Sequence, residues 1–384
     1  MRDGIRILFV HAVGMTGCDD PHPFLETRMT SANLSPFTSQ PLMFQPPTGS
    51  ARHGTFDARD WEILSRYWHP VAFSSQVQEH PISATLLDEP LVVFRSSGAV
   101  VAASDICPHR GAPLSKGWVE GGNIVCPYHG LAYGSDGKCR HIPSQTGSPI
   151  PERLRLTTFA AQEAYGLVWV SLGGGNEPLP AFPAWDEAGY QQILPPSIDI
   201  KASAGRQTEG FIDVAHFAWI HHDSFADRAN PEVPTYTVER RPNGMHAEYV
   251  SSVSNFPKSM QRRAPEGFLW RRIFEVDAPF FARLTVHFPE GGRLSILNAA
   301  SPISARLTRL FVPIVRNFDT DRPLEEVYAF NRQVFEEDRA IVELQRPEDL
   351  PIARTAEAPI LADRSSGAYR RALSDIGLGQ AYVA

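Results

Sequence analysis

Residues 107–111 read CPHRG and residues 126–130 read CPYHG, and these two stretches decide the fold of the chain. Each contains one cysteine and one histidine, with a proline directly after the cysteine. Proline holds its backbone angle φ at about −65°, so each stretch forms a stiff loop that aims its two side chains. The pair predicts one metal centre built from two loops, with two thiolates and two imidazoles as ligands.

Two thiolates and two imidazoles can divide between the two irons of a Rieske 2Fe-2S cluster, with sulfur on one iron and nitrogen on the other. Replacing two anionic thiolates by neutral histidines raises the reduction potential of the cluster. The cluster ligands are then Cys107, His109, Cys126 and His129. A zinc site is the alternative, because Cys2His2 is also a zinc ligand set. Zinc fingers usually pair cysteine with cysteine, whereas each loop here supplies one residue of each type, which favours the cluster.

A second group of candidate ligands lies between residues 208 and 223. Asp213, His216 and His221 share one short apolar segment there. If the segment is helical, Asp213 and His216 lie on one face and His221 follows a little more than one turn later. Two neutral imidazoles can bind one side of an iron(II) ion, and a carboxylate completes the set that leaves positions open for dioxygen.

The best candidate for that carboxylate is Asp338. Residues 324–346 lack glycine and proline, contain many helix-forming residues and precede Pro347, which predicts a long helix. Asp338 lies within its apolar stripe, where a carboxylate needs a partner such as a metal. Glu336 and Glu337 are expected to point to solvent. A purely structural role for Asp338, as a cap or salt-bridge partner, is the alternative.

These motifs resemble those of the Rieske non-haem iron oxygenases. CPHRGAPLSKG and CPYHGLAYGSDGKC are similar to the family's cluster loops, and two further segments are similar to its Asp-x-x-His-x-x-x-x-His and Glu-Asp-x-x-Ile/Val motifs. The resemblance implies that His216, His221 and Asp338 bind a mononuclear Fe(II). His222 is treated as a non-ligand, because the four-residue gap selects His221.

The resemblance also implies a catalytic role for Asp213. In this family the corresponding aspartate bridges to a cluster histidine of the neighbouring subunit, so a homotrimer is expected. Two positions depart from the family pattern: Leu131 stands where Trp is usual, and Gly210 stands where many relatives have Asn.

The activity implied is that of an enzyme, the terminal oxygenase component of a multicomponent system. It would activate dioxygen to hydroxylate or oxidatively demethylate an aromatic or polycyclic substrate. NAD(P)H would act only indirectly, through a separate ferredoxin or flavin-containing reductase, because the chain has no GxGxxG dinucleotide fingerprint. The run 335–343 is more similar to the monooxygenase and demethylase branch than to ring dioxygenases. Cis-dihydroxylation is the runner-up, and an electron-transfer protein without catalytic iron is a more distant alternative.

The chain is expected to form an α+β protein of two domains. Residues 56–175 contain short strands between Gly and Pro turns, which indicates an all-β Rieske domain. Residues 176–384 mix strands with a long helix, as in the family's helix-grip catalytic domain, an antiparallel sheet curved around a helix. Residues 1–55 are rich in Pro, Ser, Thr and Gly and are predicted to be a disordered tail, with a lipoprotein-type signal as the alternative.

The composition fits a cytoplasmic enzyme. The 384 residues are 42% hydrophobic, which is enough for two domains with their own cores. A net charge of −7 argues against a nucleic-acid partner or a membrane surface, and no apolar run reaches transmembrane length. Cys18 and Cys139 are expected to be free thiols.

The substrate pocket is expected between the ligand segment and the interior of the sheet. Asn298 is a candidate polar anchor. The apolar candidates are Phe211, Phe217, Ile220, Phe280, Phe281, Phe288 and Ile296.

Overall fold

A computed structural model describes residues 54–353 and 356–379. The segment predicted to be a tail lies outside the described residues except for Gly54 and Thr55, and Cys18 lies outside them too. Within the described ranges, no helix has both the length and the apolar character that crossing a bilayer requires.

From residue 54 onward, the N-terminal half contains one α-helix and ten strands. They are α1 Ala58–Ser65, β1 His69–Phe73, β2 Ile82–Leu86, β3 Glu89–Ser96, β4 Ala99–Ser104, β5 Trp118–Glu120, β6 Asn123–Val125, β7 Ala132–Tyr133, β8 Cys139–His141, β9 Thr158–Ala164 and β10 Leu167–Ser171. Six of them form an antiparallel sheet in the order β1-β10-β9-β4-β3-β2, and β5-β6-β7-β8 form a smaller one. The loop from β4 to β5 carries CPHRG, and the loop from β6 to β7 carries CPYHG.

The C-terminal half contains one large sheet and four helices. Its elements are β11 Gln191–Ile193, β12 Ile198–Ile200, α2 Ala204–Ile212, α3 Phe217–Ile220, β13 Thr237–Arg241, β14 Gly244–Ser251, β15 Trp270–Asp277, β16 Phe281–His287, β17 Arg293–Ser304, β18 Leu307–Phe311, β19 Ile314–Arg316, α4 Leu324–Val342 and α5 Arg364–Asp375. The main path of the sheet is β11-β19-β17-β16-β15-β14-β13, and β18 joins β17 to β12. This arrangement confirms the predicted α+β fold.

Along the strands of the large sheet, buried side chains alternate with more exposed ones, and the buried side chains form its inner face. On β15, residues Trp270, Arg272, Phe274 and Val276 are buried, while the residues between them are more exposed. The inner face packs in one apolar core with Phe335 of α4 and with residues of α2 and α5. Three of the four inward residues of β15 are apolar, so this pattern is ordinary for a half-buried strand except at Arg272.

The cores of the two halves are joined. Trp169 of β10 packs against Phe281 of β16, with ring centroids 5.5 Å apart. The main apolar core also spans both halves, because it contains Val168 of β10 and Phe274 of β15. One core therefore spans both halves, while the buried residues around Cys107 and Cys126 form a core of their own. The division into domains at residues 56–175 and 176–384 stays a prediction. Phe281 faces the N-terminal half, so it does not line a pocket inside the sheet.

The ligand segment is not one helix. Helix α2 ends at Ile212, Asp213 has extended backbone angles of −73° and 136°, and α3 is a single turn. The physical reason lies in the Asp213 side chain, because its Oδ1 accepts a hydrogen bond from the Ala215 N–H at 2.8 Å. Aspartate often ends a helix in this way, by offering the backbone a local partner.

Candidate active site

The two cysteine-histidine loops share one backbone pattern. The cysteine N–H donates to the carbonyl five residues further on, at 2.9 Å for both Cys107 and Cys126. The cysteine carbonyl accepts from Gly111 at 2.8 Å in the first loop and from Gly130 at 3.0 Å in the second. Both glycines have φ near +70°, at 72° and 71°, a conformation that glycine adopts without strain. The loops are therefore two copies of one ligand-presenting turn.

The four predicted cluster ligands separate by type. Cys107 and Cys126 are buried, while His109 and His129 are exposed, with their ring centroids 4.7 Å apart. Burial, together with the neighbouring Cys107 thiol, raises the pKa of Cys126. Sulfur donors on the inner side and nitrogen donors at the surface are what a Rieske cluster requires, so this donor set fits the group.

Tyr133 is a residue of this site that the sequence analysis missed. Its hydroxyl lies 3.3 Å from Cys107 Sγ and is buried. Burial, and then the nearby cysteine, raise the pKa of Tyr133. The hydroxyl therefore keeps its proton and donates to Cys107 when that sulfur is a thiolate. Its position in β7, directly after the second loop, was the only signal available in the sequence.

The second group of donors converges as predicted. His216 Nε2 and His221 Nε2 lie 3.1 Å apart, and Asp338 Oδ1 lies 3.5 Å from the first and 3.1 Å from the second. All three donor atoms fall within 4.8 Å of one another. The structure thus brings together α3, its flanking residues and α4, although 117 residues separate His221 from Asp338 in the sequence.

Carboxylates hold the other nitrogen of each imidazole. His216 Nδ1 lies 3.2 Å from Asp213 Oδ2, and His221 Nδ1 lies 2.8 Å from Glu337 Oε2. Each Nδ1–H therefore donates to a carboxylate, which leaves a lone pair on each Nε2. Two lone pairs and a carboxylate oxygen that face one another at this distance form a ligand set for a cation. The set of two histidines and one carboxylate fits iron(II).

Asp213 stays ionised in this arrangement. Burial is the largest single influence and would raise the pKa of its carboxyl group. The hydrogen bond and charge of His216, together with hydrogen bonds from the backbone N–H groups of Ala215 and Val214, outweigh burial and hold that pKa below its usual value. Asp213 is thus an anionic acceptor beside a candidate iron ligand.

Glu337 overturns one expectation. Its side chain was predicted to point to solvent, yet Oε2 also accepts from Ser224 Oγ at 2.7 Å, and Oε1 accepts from Gln333 Nε2 at 3.0 Å. Glu337 therefore positions His221. The stripe of apolar residues on α4 singled out Asp338 but could not show that the next position also faces the ligand segment. Glu336 differs, since it pairs with Arg339 at 2.5 Å.

Other predicted positions lie around the centre rather than in it. His222 Nδ1 bonds the Trp219 carbonyl at 2.8 Å, so it is not part of the convergent group. Asn298, the candidate polar anchor, accepts from Gln207 Nε2 at 3.2 Å and is fully buried. At Gly210 a Cβ would meet only Val342, at an ordinary 3.5 Å, so space alone does not exclude the family's Asn.

Aromatic rings flank the imidazoles. Phe217 makes an edge contact with His216 at 5.1 Å, and Phe225 stacks on His221 at 4.8 Å. Phe225 also lines a cavity of about 270 Å³, together with Val253 and Trp270. Through Phe225, the candidate metal centre thus adjoins a cavity with both polar and aromatic residues in its lining.

Comparison with known proteins agrees with this geometry. A family model of the Rieske [2Fe-2S] domain matches residues 67–160, and one of the vanillate O-demethylase oxygenase C-terminal domain matches residues 200–377. Methylxanthine N1-demethylase NdmA of Pseudomonas putida is 32% identical over 326 residues, which cover 82% of this chain and 90% of NdmA. The chain is a Rieske oxygenase.

Solved structures extend the similarity of this Rieske oxygenase to the whole fold. NdmA with caffeine superposes with a TM-score of 0.70 at 28% identity, covering 81% of this chain and 96% of that one. Dicamba monooxygenase bound to dicamba gives 0.70 at 21% identity, covering 82% and 97%, which shows the fold alone.

Several predictions from the sequence are confirmed by these comparisons. They include the family, the terminal oxygenase role, the oxidoreductase class and the two cofactors, a 2Fe-2S cluster and a mononuclear iron. Members of the family take electrons from a reductase or ferredoxin and act on small molecules.

We predict that Tyr133→Phe lowers the reduction potential of the cluster. In the wild type, the hydrogen bond from Tyr133 to Cys107 stabilises the reduced cluster, which is the more negative state, and the variant lacks this bond. A bond of about 1 kcal/mol corresponds to a potential difference of roughly 40 mV for one electron. Redox titration followed by visible absorption measures the change. Tyr128→Phe is the matched control, because Tyr128 is 64% exposed. Equal potentials for Tyr133→Phe and the wild type would contradict this role.

We predict that Glu337→Gln weakens iron binding about 10–100-fold, because the neutral amide holds the His221 imidazole less firmly. Titration of the iron-depleted protein with Fe(II), with the cluster absorption as an internal standard, measures the affinity. Glu336→Gln removes the neighbouring carboxylate and should leave the affinity unchanged. If both variants bind iron like the wild type, Glu337 does not position His221.

Proposed function

We propose that this chain is the oxygenase component of a demethylase that removes a methyl group from an oxygen or nitrogen of an aromatic compound. The observation that carries the proposal is the convergence of His216, His221 and Asp338 next to Phe225, which lines a cavity. Relatives named as demethylases support the choice of reaction, among them NdmA and NdmB of Pseudomonas putida, which are 32% and 28% identical to the chain.

In this proposal each predicted ligand has one role. Cys107, His109, Cys126 and His129 hold the cluster, while His216, His221 and Asp338 hold the iron. When bound, the two groups supply single electrons and the activation of dioxygen. Glu337 keeps the His221 imidazole in the ligating tautomer.

The residues around the centre control access. The rings of Phe217 and Phe225 cover two sides of the imidazole pair and limit the water that reaches it. The cavity of about 270 Å³ is close to the lower end of typical ligand sites, about 300–1,000 Å³, so it favours a substrate with one small ring system.

We further propose a homotrimer in which Asp213 hydrogen-bonds a cluster histidine of a neighbouring subunit and so connects that cluster to the iron site. Asp213 lines a groove of about 1020 Å³ between α2 and α5. The cluster end is exposed in the described part of the chain, with Tyr128 64% and Trp118 44% accessible. The groove thus offers a complementary place for the exposed end of a second copy. A separate reductase or ferredoxin, a cytoplasmic location and a part in aromatic catabolism complete the proposal.

The reaction is tested by product analysis with the iron-loaded protein, a surrogate reductase, NADH and labelled dioxygen. The substrates are para-methoxybenzoate, caffeine and theobromine. Demethylation releases formaldehyde with oxygen uptake that depends on substrate. Ring diols carrying both atoms of dioxygen, without formaldehyde, would replace the proposal by the cis-dihydroxylation alternative. One relative, 3-chlorobenzoate-3,4-dioxygenase of Comamonas testosteroni, is named for such chemistry and is 31% identical over 228 residues.

We predict that Asp213→Asn lowers steady-state turnover at least about 10–100-fold, because the neutral amide neither polarises His216 nor attracts a protonated cluster histidine. Both irons should be retained, as measured by metal analysis and cluster absorption. The control is Asp223→Asn, since the Asp223 side chain is 76% exposed. Turnover that survives in Asp213→Asn would sink the proposed bridge.

A further inference from the structure

Arg272 is a buried cation in the inner face of the catalytic sheet. It occupies the middle of β15 between Trp270 and Phe274, and its exposed fraction is 0%. Burial lowers its pKa to about 10, so the guanidinium is still charged at neutral pH. A buried charge is costly in free energy unless a partner of opposite charge compensates it.

Arg272 lacks such a partner among the described residues. One terminal nitrogen donates to Ser251 Oγ at 3.1 Å and the other to the Val253 carbonyl at 2.5 Å, while Nε has no hydrogen-bond partner. The rings of Phe217 and Tyr249 lie 5.6 and 5.7 Å from the guanidinium carbon. All of these neighbours are neutral. Buried Arg206, by contrast, has the Glu357 carboxylate at 2.7 Å.

The position of Arg272 connects it to the substrate space. Phe217 lies under the guanidinium and also contacts the His216 ring. Val253, which accepts a hydrogen bond from Arg272, lines the cavity of about 270 Å³, as does Trp270. Phe225, which stacks on His221, lines the same cavity. The cavity lining therefore contacts Arg272 through Val253 and the candidate iron site through Phe225.

We propose that Arg272 is a specificity-determining residue that selects aromatic substrates carrying a carboxylate. The carboxylate takes the free Nε–H and replaces the Val253 carbonyl at the adjacent nitrogen, which gives the bidentate geometry that guanidinium favours. The methylated end of the ring then faces the iron ligands. This inference rests on the proposed demethylase function and narrows its substrate class.

The competing explanation is that Arg272 only ties the bend at residues 251–253 to β15. If the role is only structural, replacing Arg272 should weaken the binding of every substrate to the same extent. The two explanations therefore differ in the ratio between a charged substrate and a neutral one of the same shape.

The experiment compares para-methoxybenzoate with para-methoxybenzamide, which differ by one charge. Binding to the iron-loaded protein is measured by calorimetry without dioxygen, and demethylation is measured as formaldehyde. The variants are Arg272→Gln and Arg272→Lys. The matched control is Arg271→Gln, because Arg271 points to the opposite face and pairs with Glu248 at 2.7 Å.

We expect the wild type and Arg271→Gln to bind the benzoate at least about tenfold more tightly than the benzamide, since a charge-assisted bond to a buried cation has that magnitude. Arg272→Gln should lose this preference, so that the benzoate binds no more tightly than the benzamide. Arg272→Lys should retain part of it, because it keeps the charge without the fork.

Absence of a preference in the wild type, or an equal loss for both compounds in Arg272→Gln, overturns the inference. If Arg272→Gln does not fold, the ratio of benzoate affinity to benzamide affinity in Arg272→Lys distinguishes the two explanations instead. Demethylation of the benzamide or caffeine without a benzoate preference would leave the proposed function standing and the inference refuted. Benzoate binding that depends on Arg272, without formaldehyde from any substrate, would refute the function instead.

Discussion

The catalytic half depends on one interaction, the hydrogen bond from each imidazole Nδ1–H to a carboxylate. These two bonds orient His216 and His221 so that both Nε2 atoms face the same point. Asp213, at the end of α2, accepts the hydrogen bond from His216, and Glu337, on α4, accepts the hydrogen bond from His221. Because the two carboxylates come from different elements, the site exists only when α4 packs across the ligand segment. Metal binding and the packing of the inner sheet face are thus parts of one equilibrium.

Much of this site could be predicted from the sequence, because ligand chemistry limits residue types and spacing. The loops around Cys107 and Cys126 were predicted from such limits. The three donors of the second centre were predicted from such limits together with the resemblance to the family. Residues that act through a ligand carry no comparable pattern. Tyr133 looks like an ordinary strand aromatic, and Glu337 looks like an exposed helix residue. Only the fold shows that their polar atoms meet a sulfur and an imidazole.

The local errors have physical causes too. A continuous helix through Asp213 satisfied the periodicity, but periodicity does not register a side chain that competes for backbone N–H groups. Length and composition, likewise, do not record how strands of two halves meet in a shared core. The contact of Trp169 with Phe281 is such a meeting. Short-range sequence patterns predict helices and strands well, whereas contacts between elements that are distant in the sequence are seen only in the three-dimensional structure.

The shared core has a consequence for how the protein can move. An electron-transfer module on a flexible linker can swing between donor and acceptor, but a module whose buried aromatics interlock with its neighbour cannot do so without exposing them. The large sheet of the N-terminal half therefore moves with the catalytic half as one body. In the proposed trimer, the distances for electron flow would then be set by how whole chains assemble, and heating should release both metals in a single cooperative transition.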